Sequence, residues 1–356
     1  MAYTTIDNPE LYFQTKLYTG NDTDDHAITL DGNEDMSPNL VWIKSRALTH
    51  NHQIHDTVRG VTKHISSDVN NAEATEATGL KSFDSDGFTL GTWDSVNVAS
   101  SGTYVAWNWK AGTSVSGNTT GSGTAKTYTG SVNTDAGFSI IKYVGNGTAG
   151  HTAPHHLGVA PKAMIIKNLQ ASQSWFINFP FGTGAGYIML DRTNAGDGSN
   201  ASVWNSTAPS SSVVTLGETG GVNENNHAYI MYAFAEKQGY SKFSSYTGNG
   251  NADGTFIYTG FKPAFVLFKR TSSTSNWSLF DNKRNAFNIT DSYIQADTNA
   301  AEQEYSDIYV DFLSNGIKQR GTNLSLNSSG DSFIYMAFAE ESFVSSSGVP
   351  ATARWL

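Results

Sequence analysis

The feature that most constrains this chain is a set of landmarks that recurs three times along it. Each copy has a Tyr-x-Gly-Asn tetrapeptide, then a proline that opens an apolar run closing on a lysine, and later an aromatic-rich strand. The opening tyrosine lies 86 positions before the aromatic strand in the first two copies and 87 positions before it in the third. The landmarks are Tyr18, Gly20, Pro38 and Lys44 in the first copy, Tyr143, Gly145, Pro161 and Lys167 in the second, and Tyr246, Gly248, Pro263 and Lys269 in the third. This fixed spacing predicts three homologous units in tandem, each with the roughly 100 residues of a small domain.

The segments between the landmarks predict strands and turns. The apolar runs are short and rich in Val, Ile, Phe and Trp, and a proline at the start of a strand loses no ladder hydrogen bond. We expect the lysine that closes each run to reach solvent. Gly-Asn after a tyrosine predicts a turn in which glycine supplies positive φ, and the pairs Asp86-Gly87 and Asn315-Gly316 predict hairpins. Charged residues are only 15% of the chain, which favours sheets with polar turns over helical bundles. The predicted fold is all-β, with three tandem β-sandwich-like repeats of jelly-roll or Ig-like type.

The unit boundaries follow from the landmarks and from one biased segment. Residues 113–130 are rich in Gly, Ser and Thr with almost no apolar content, so we expect a flexible connector there. The predicted organisation is unit 1 at residues 1–112, the linker at 113–130, unit 2 at 131–239, unit 3 at 240–344 and a C-terminal tail at 345–356.

Charge and composition argue against several classes of protein. A net charge of −10 with scattered Lys and Arg gives no basic patch for nucleic acid or for an anionic membrane. The absence of cysteine removes disulfides, thiolate zinc sites and cysteine nucleophiles. The first residues lack the pattern of a signal peptide, and no apolar stretch has the length of a membrane span. We therefore expect a protein made in a cytoplasm, without nucleic-acid binding or membrane insertion.

The polar motifs offer candidate sites that we interpret as structural. His50 and His52, with His55 and His64 beyond, suggest a metal site, but no carboxylate or cysteine completes it, so we favour a polar loop. Residues 84–87 and 249–254 resemble the start of calcium loops, but their shared requirement is the turn and not the carboxylates. An Asp-x-x-Arg motif occurs at residues 56–59 and 281–284 and is absent from the second unit, which argues for an ion pair that fixes a loop and against catalysis. We predict no catalytic residue, no metal and no cofactor, and therefore no enzyme.

The tryptophans divide into two groups. Those on the shared pattern, at positions 42, 107, 175 and 277, are predicted to lie in the core. The other candidates could stack on sugars at the surface. These predicted ligand-binding residues are Trp93, Trp109 and Trp204.

The repeated residues also resemble a known kind of repeat. In the second unit, residues 135–140 run into Tyr143-Val144-Gly145-Asn146-Gly147, followed by residues 156–162 and Lys167. The third unit, with residues 260–266, Lys269-Arg270 and the segment from Trp277 to Arg284, is similar to a companion repeat. Together with residues 3–9 and 12–15, they resemble virion proteins of marine and cyanobacterial bacteriophages, a family described as tail-fibre-like or structural.

The resemblance implies a function but supplies no catalytic residue. It implies a bacteriophage virion structural protein, above all a tail fibre or tail-associated host-attachment (receptor-binding) protein. The alternative is an architectural protein, such as a capsid decoration or tail adaptor, and a surface-polysaccharide depolymerase is the third hypothesis. The resemblance further implies a homotrimer located in the virion, with other virion proteins and a host surface glycan or protein receptor as partners.

Overall fold

The computed structural model describes residues 3–99, 102–179 and 186–350, which form an all-β structure of antiparallel sheets. The all-β prediction is therefore confirmed. Within these residues the α-helices are single turns, Asp94–Asn97 (α1), Ala201–Trp204 (α2) and Leu324–Asn327 (α3), and a short 3-10 helix spans Pro9–Leu11. None of the described helices has the length and apolar character needed to cross a bilayer.

The sheets group into three lobes in chain order. Lobe 1 contains Phe13–Thr19 (β1), His26–Thr29 (β2), Leu40–Ser45 (β3), Gln53–Asp56 (β4), Lys63–His64 (β5), Ala74–Thr75 (β6), Leu80–Asp84 (β7), Gly87–Leu90 (β8) and Thr103–Trp109 (β9). Lobe 2 contains Thr113–Asn118 (β10), Thr120–Gly121 (β11), Thr127–Asn133 (β12), Phe138–Val144 (β13), His151–Pro154 (β14), Ala163–Asn168 (β15), Phe176–Asn178 (β16), Tyr187–Met189 (β17), Val213–Leu216 (β18) and Ala228–Phe234 (β19). Lobe 3 contains Ser241–Thr247 (β20), Phe256–Tyr258 (β21), Phe261–Arg270 (β22), Ser278–Asp281 (β23), Ser292–Gln295 (β24), Gln303–Glu304 (β25), Val310–Leu313 (β26), Gly316–Gln319 (β27) and Ser332–Ser342 (β28).

The larger sheets of the three lobes share one strand order. The order is β1-β9-β3-β4 in lobe 1, β13-β19-β15-β16 within the larger sheet of lobe 2, and β20-β28-β22-β23 within that of lobe 3. A three-stranded sheet completes each lobe, in the orders β2-β8-β7, β11-β14-β18 and β21-β27-β26. In each lobe the strand that carries the landmark tyrosine (β1, β13 or β20) therefore pairs with the last strand of the lobe (β9, β19 or β28). The exact boundaries predicted for the units stay a prediction.

Both faces of the larger sheets are buried, and in lobes 1 and 2 the two faces belong to different hydrophobic clusters. On β9, Tyr104 and Ala106 pack with the small sheet of lobe 1, through residues such as Phe88 and Leu90, so the two sheets form a sandwich-like layer. The alternate residues Val105, Trp107 and Trp109 belong to a second cluster that also includes residues of lobes 2 and 3. In lobe 2 the same division places Tyr229 and Met231 inside the lobe, and Ile230 and Tyr232 in the shared cluster.

This shared cluster shows that the three lobes do not pack as independent units. Side chains such as Trp42, Ile165 and Phe265, one from each lobe, belong to one hydrophobic cluster and line one narrow apolar cavity. The lobes are similar, but they enclose a common centre. This explains why the matched tryptophans Trp42, Trp107, Trp175 and Trp277 are all buried, as predicted.

The lobes close into a ring through matched hydrogen bonds. The residue just before β4, β16 or β23, the last strand of each shared order, bonds through a ring nitrogen to a carbonyl of another lobe. The bonds are Trp175 Nε1 to Ser66 O at 2.9 Å, Trp277 Nε1 to Met189 O at 2.9 Å, and His52 Nε2 to Gln295 O at 3.0 Å. A backbone amide bridges each of the same pairs: Glu73 N to Leu169 O, Gly196 N to Thr271 O, and Glu302 N to Arg46 O. Lobe 3 thus returns to lobe 1, and the arrangement is a pseudo-threefold ring within one chain.

Several local expectations need correction. The segment expected as a flexible connector is largely sheet, because Thr113–Asn118 pairs along its whole length with Thr127–Asn133. Pro38 and Pro161 precede their strands by two residues, but Pro263 lies inside Phe261–Arg270, at a register shift that removes the need for its missing N–H. The hairpins predicted at Asp86-Gly87 and Asn315-Gly316 are confirmed. In the predicted tail, Ser346 N donates to Asp7 Oδ1, and residues 351–356 lie outside the described part of the chain.

Candidate functional site

The landmark lysines are buried, which contradicts their predicted exposure. Lys44, Lys167 and Lys269 are 0% exposed, and each ammonium donates to backbone carbonyls, for example from Lys44 Nζ to Ser45 O at 2.8 Å and to Leu48 O at 3.2 Å. Burial lowers the pKa of each lysine to about 8, although a neighbouring aspartate partly opposes that shift. The chain closes a polar turn around each ammonium, so these lysines hold backbone in place.

The neighbouring aspartates tie the same turns to the ring of lobes. Asp68, Asp191 and Asp297 accept a hydrogen bond from the backbone N–H of His52, Trp175 and Trp277 respectively, the residues whose rings bond to another lobe. Burial raises the pKa of Asp68 and of Asp297 to about 6. Because the arrangement occurs three times, we interpret it as part of the architecture.

The Asp-x-x-Arg motifs form buried ion pairs. Arg59 Nε lies 2.5 Å from Asp56 Oδ2, and both side chains are fully buried, so the predicted ion pair is present. Nη2 of the same Arg59 guanidinium donates to Ile54 O at 2.7 Å. Arg284 repeats this geometry, lying 2.6 Å from Asp281 Oδ2 and donating to Leu279 O.

Each of these aspartates also accepts a hydrogen bond from another lobe. Tyr232 Oη of lobe 2 donates to Asp56 Oδ2 at 2.7 Å, and Trp107 Nε1 of lobe 1 donates to Asp281 Oδ2 at 3.1 Å. The carboxylate oxygens are therefore occupied by internal partners, which fits a role in joining lobes.

The glycine of each Tyr-x-Gly-Asn landmark is required by close packing and not by positive φ. A Cβ on Gly20, Gly145 or Gly248 would lie 2.2, 2.5 or 2.3 Å from a backbone carbonyl oxygen, and none of the three has positive φ. Each opening tyrosine donates to a carbonyl of its own lobe. Tyr18 and Tyr246 reach the short helices α1 and α3, whereas Tyr143 Oη donates at 2.7 Å to Val222 O in a turn.

A buried asparagine, missed by sequence reasoning, completes that turn. Asn223 Oδ1 accepts from Asn146 N at 2.9 Å, and its Nδ2 donates to Thr148 O and Gly217 O. Asn97 and Asn327 repeat these bonds in the other lobes. Their similar distance from the landmark glycine, 77, 78 and 79 positions in the three lobes, could have identified them.

The three tryptophans predicted to lie at the surface differ in their exposure. Trp109 is 2% exposed because it ends β9 and packs on Phe13 and Phe265, and Trp204 is 1% exposed in α2. Both are corrections to the predicted surface set. Trp93 is half-buried and lines a cleft of lobe 1.

That cleft has a volume of about 310 Å³ and brings together residues that are far apart in sequence. His64 packs against Trp93 with ring centroids 4.7 Å apart, and Gln53 lies at the same cleft although it is only 2% exposed. The remaining polar lining includes Asn51 and Asn71. Among the described residues, none that lines the cleft has a carboxylate, an ammonium or a guanidinium group.

Two polar atoms of residues at this cleft have no hydrogen-bond partner in the described chain. Gln53 Nε2 donates to Asn51 O at 3.2 Å, but Gln53 Oε1 and His64 Nδ1 are buried atoms without a hydrogen-bond partner in the described chain. Burial and the positive charge of Arg59 lower the pKa of His64 to about 4, so the ring is neutral near pH 7. The cleft can therefore both donate and accept hydrogen bonds without carrying charge.

The histidine-rich segment does not assemble a metal centre in the described residues, where no group of three or more metal-ligating side chains occurs. His52 is engaged on both nitrogens: Trp42 Nε1 donates to Nδ1 at 2.8 Å, so Nε2 carries the proton that reaches Gln295 O. His55 Nδ1 bonds to Lys63 O at 3.0 Å. Of the two calcium-like segments, residues 84–87 form a hairpin turn in which Asp84 accepts from Ser82 and Thr89.

Comparison with known proteins gives a family and no individual relative. No curated protein and no solved structure matches the chain. One family model, described as a domain of unknown function (DUF7483), matches residues 8–342, which include all three lobes. The chain therefore belongs to the DUF7483 family.

Proposed function

We propose that this chain is a bacteriophage virion structural protein that acts as a host-attachment module, in a tail fibre or another tail-associated position. The observation on which the proposal depends is the ring of three lobes around one core. A body of this kind holds its surface loops in fixed relative positions, which suits a particle component that binds a surface without transforming it.

The internal use of the buried charges supports a binding role over a catalytic one. Asp56 and Asp281 are occupied by an arginine and by a donor from another lobe, and the buried lysines donate to backbone carbonyls. A depolymerase would need two or three carboxylates converging on a groove that holds a polysaccharide. Among the described residues, the cleft that contains the half-buried Trp93 has no carboxylate in its lining, and the larger groove that is lined by Asp7, Glu10, Glu34, Glu340 and Glu341 has no aromatic side chain on which a sugar could stack.

Adsorption measurements test the attachment proposal. Fluorescently labelled protein would be incubated with a panel of marine cyanobacteria, and phage adsorption to the same cells would be measured with and without unlabelled protein. We expect the protein to bind at least one strain and to slow adsorption of a phage that infects it. A lack of binding to every strain would contradict host attachment.

The architectural alternative is supported by exposed apolar side chains on lobe 3. Phe287 is 85% exposed and Ile289 is 47% exposed within one loop, an arrangement that suits a protein partner. If this alternative holds, the labelled protein will bind virion proteins and ignore cells. The virion location and the homotrimer stay proposals, which immunogold labelling of particles and light scattering of the purified chain would test.

A further inference from the structure

We infer that the cleft of lobe 1 binds an uncharged saccharide, with Trp93 as the stacking surface and the amide groups around it as partners for sugar hydroxyls. The inference deepens the proposed attachment role and takes its biological meaning from it. It depends on three observations about the cleft: its residue chemistry, its unused polar atoms and its occurrence in one lobe only.

The residue chemistry matches that of a sugar ring. A pyranose has one apolar face of C–H groups and a rim of hydroxyls, so it packs on an aromatic ring and exchanges hydrogen bonds with groups that donate and accept. Trp93 supplies the ring, and Gly79 leaves room for it, because a Cβ at that position would lie 3.3 Å from the indole. Gln53, Asn51 and Asn71 supply amides.

The unused polar atoms show where a ligand would gain most. Gln53 is 98% buried, yet its carbonyl oxygen has no partner in the described chain, and the same is true of His64 Nδ1. A buried polar atom without a partner costs about 1–3 kcal/mol. Neither atom is accessible to solvent, so a sugar hydroxyl removes that cost only if the side chain rotates toward the cleft. Since no charged side chain lines the cleft, a charged sugar would lose its hydration without compensation.

The third observation separates function from architecture. The features that the fold requires, such as the buried lysine, the aspartate and the turn asparagine, occur in all three lobes. The cleft residues do not recur: Gln53 begins β4, whereas Phe176 and Ser278 begin the matched strands. Four residues before the turn asparagine, Trp93 is replaced by Thr219 in lobe 2 and by Asn323 in lobe 3.

Size is consistent with a small ligand. The volume of about 310 Å³ lies at the lower end of the roughly 300–1,000 Å³ typical of small-molecule sites. We therefore expect recognition of one or two sugar rings at the end or at a branch of a longer glycan.

Saturation-transfer NMR on the full chain tests the inference. The probes are the methyl glycosides of glucose, galactose, mannose, rhamnose and N-acetylglucosamine, with glucuronic acid and glucosamine as charged counterparts. We expect saturation transfer to at least one uncharged glycoside, with weaker or no transfer to the charged sugars. An absence of transfer to all uncharged probes, or equal transfer to charged ones, would overturn the inference.

Variants locate the site. Trp93→Ala should weaken binding at least about tenfold, a loss of about 1.4 kcal/mol. Asn71→Ala should weaken it less and leave the melting temperature unchanged, because Asn71 is exposed. Phe287→Ala, at an exposed position of lobe 3, is the control and should bind as the natural chain does. Binding that survives both cleft substitutions would place the sugar elsewhere and overturn the assignment.

The cell assay keeps the two proposals apart. Adsorption to cells without glycoside binding would refute the cleft and leave host attachment standing. Glycoside binding without adsorption would support the cleft and contradict attachment.

Discussion

Lobes 1 and 3 join their neighbours through a buried ion pair, whereas lobe 2 does the same with apolar side chains. Asp56 and Asp281 each bind an arginine in their own lobe and a donor from another lobe. At the matched position lobe 2 has Phe179, which is 3% exposed. The difference shows that the position of Asp56 in this ring can be occupied either by a paired charged side chain or by an apolar one.

The residues on the last strand of each lobe explain why two lobes have an aspartate and one has a phenylalanine at this position. Trp107 and Tyr232 occupy matched positions on β9 and β19, and each donates to an aspartate of another lobe. The matched residue on β28 is Met336, which has no hydrogen to donate. The residues at the two positions therefore match in polarity: where the last strand has a hydrogen-bond donor, another lobe has an aspartate, and Met336 goes with Phe179. An aspartate is tolerated in this core where an arginine and a second donor are both available, because an unpaired buried charge is costly.

The largest expected effect comes from removing one partner of the buried pair. Asp56→Ala leaves the Arg59 guanidinium buried without its main counter-charge, so we expect a loss of about 3–5 kcal/mol in the free energy of unfolding. Urea unfolding followed by tryptophan fluorescence would measure it. Asp31→Ala is the control, since Asp31 is an exposed partner of Lys16, and it should cost less than about 1 kcal/mol. Equal losses for the two variants would mean that the ion pair contributes nothing specific to the ring.

A smaller effect is expected from the donor between lobes. Tyr232→Phe keeps the ring and removes the hydroxyl that donates to Asp56, so the free energy of unfolding should fall by about 1.5–3 kcal/mol, as for other hydrogen bonds to charged groups. Met336→Leu is the matched substitution in lobe 3, where no hydrogen bond is lost, and a swap of similar volume should cost less than about 1.5 kcal/mol. Thermal and urea unfolding of both variants measure the contrast. A Met336→Leu loss as large as that of Tyr232→Phe would break the polar-versus-apolar comparison.

The sequence predicted the local structure well because the local signals recur. Spacing of landmarks identified matched strands, and Asp86-Gly87 and Asn315-Gly316 marked their hairpins correctly. The common core was not predictable in this way. Alternation along a strand tells which residues share a face, but here both faces of each larger sheet are buried, and only the packing of lobes decides what covers the second face.

The errors have the same cause. Trp109 was expected at the surface because it stands outside the repeated pattern, yet it packs on Phe265 of another lobe. Lys44 was expected in solvent because a charge ends the apolar run, yet backbone carbonyls surround its ammonium. Trp93 was recognised from sequence as a candidate, but its partner Gln53 gives no signal in sequence, since only the packed lobe brings the two to one cleft.

The smallest expected effect is a difference in acid sensitivity between lobe 1 and lobe 3. Burial, followed by the positive charge of Lys44, lowers the pKa of His52 well below its usual value, and burial lowers that of His55 to about 3. The folded-state pKa of each histidine lies below the unfolded value of about 6.5, so the unfolded chain binds more protons at acid pH. The stability that depends on the neutral rings is therefore present above about pH 6.5 and is lost as pH falls below it. The loss is up to about 1.4 kcal/mol per histidine for each pH unit. Asp68 opposes part of this loss, because its raised pKa lets the folded state take up a proton below about pH 6.

Lobe 3 should respond differently, because residues 240–344 contain no histidine and Trp277 stands where lobe 1 has His52. Hydrogen exchange at pH 7 and pH 5.5, corrected for the intrinsic exchange rate, should show loss of protection in β4 of lobe 1 before β23 of lobe 3. His52→Gln keeps a donor and an acceptor without titrating, so it should reduce the acid-dependent loss by up to about 1.4 kcal/mol. If β23 loses protection together with β4, and His52→Gln behaves as the natural chain does, the ring unfolds as one unit and its acid sensitivity does not arise at His52.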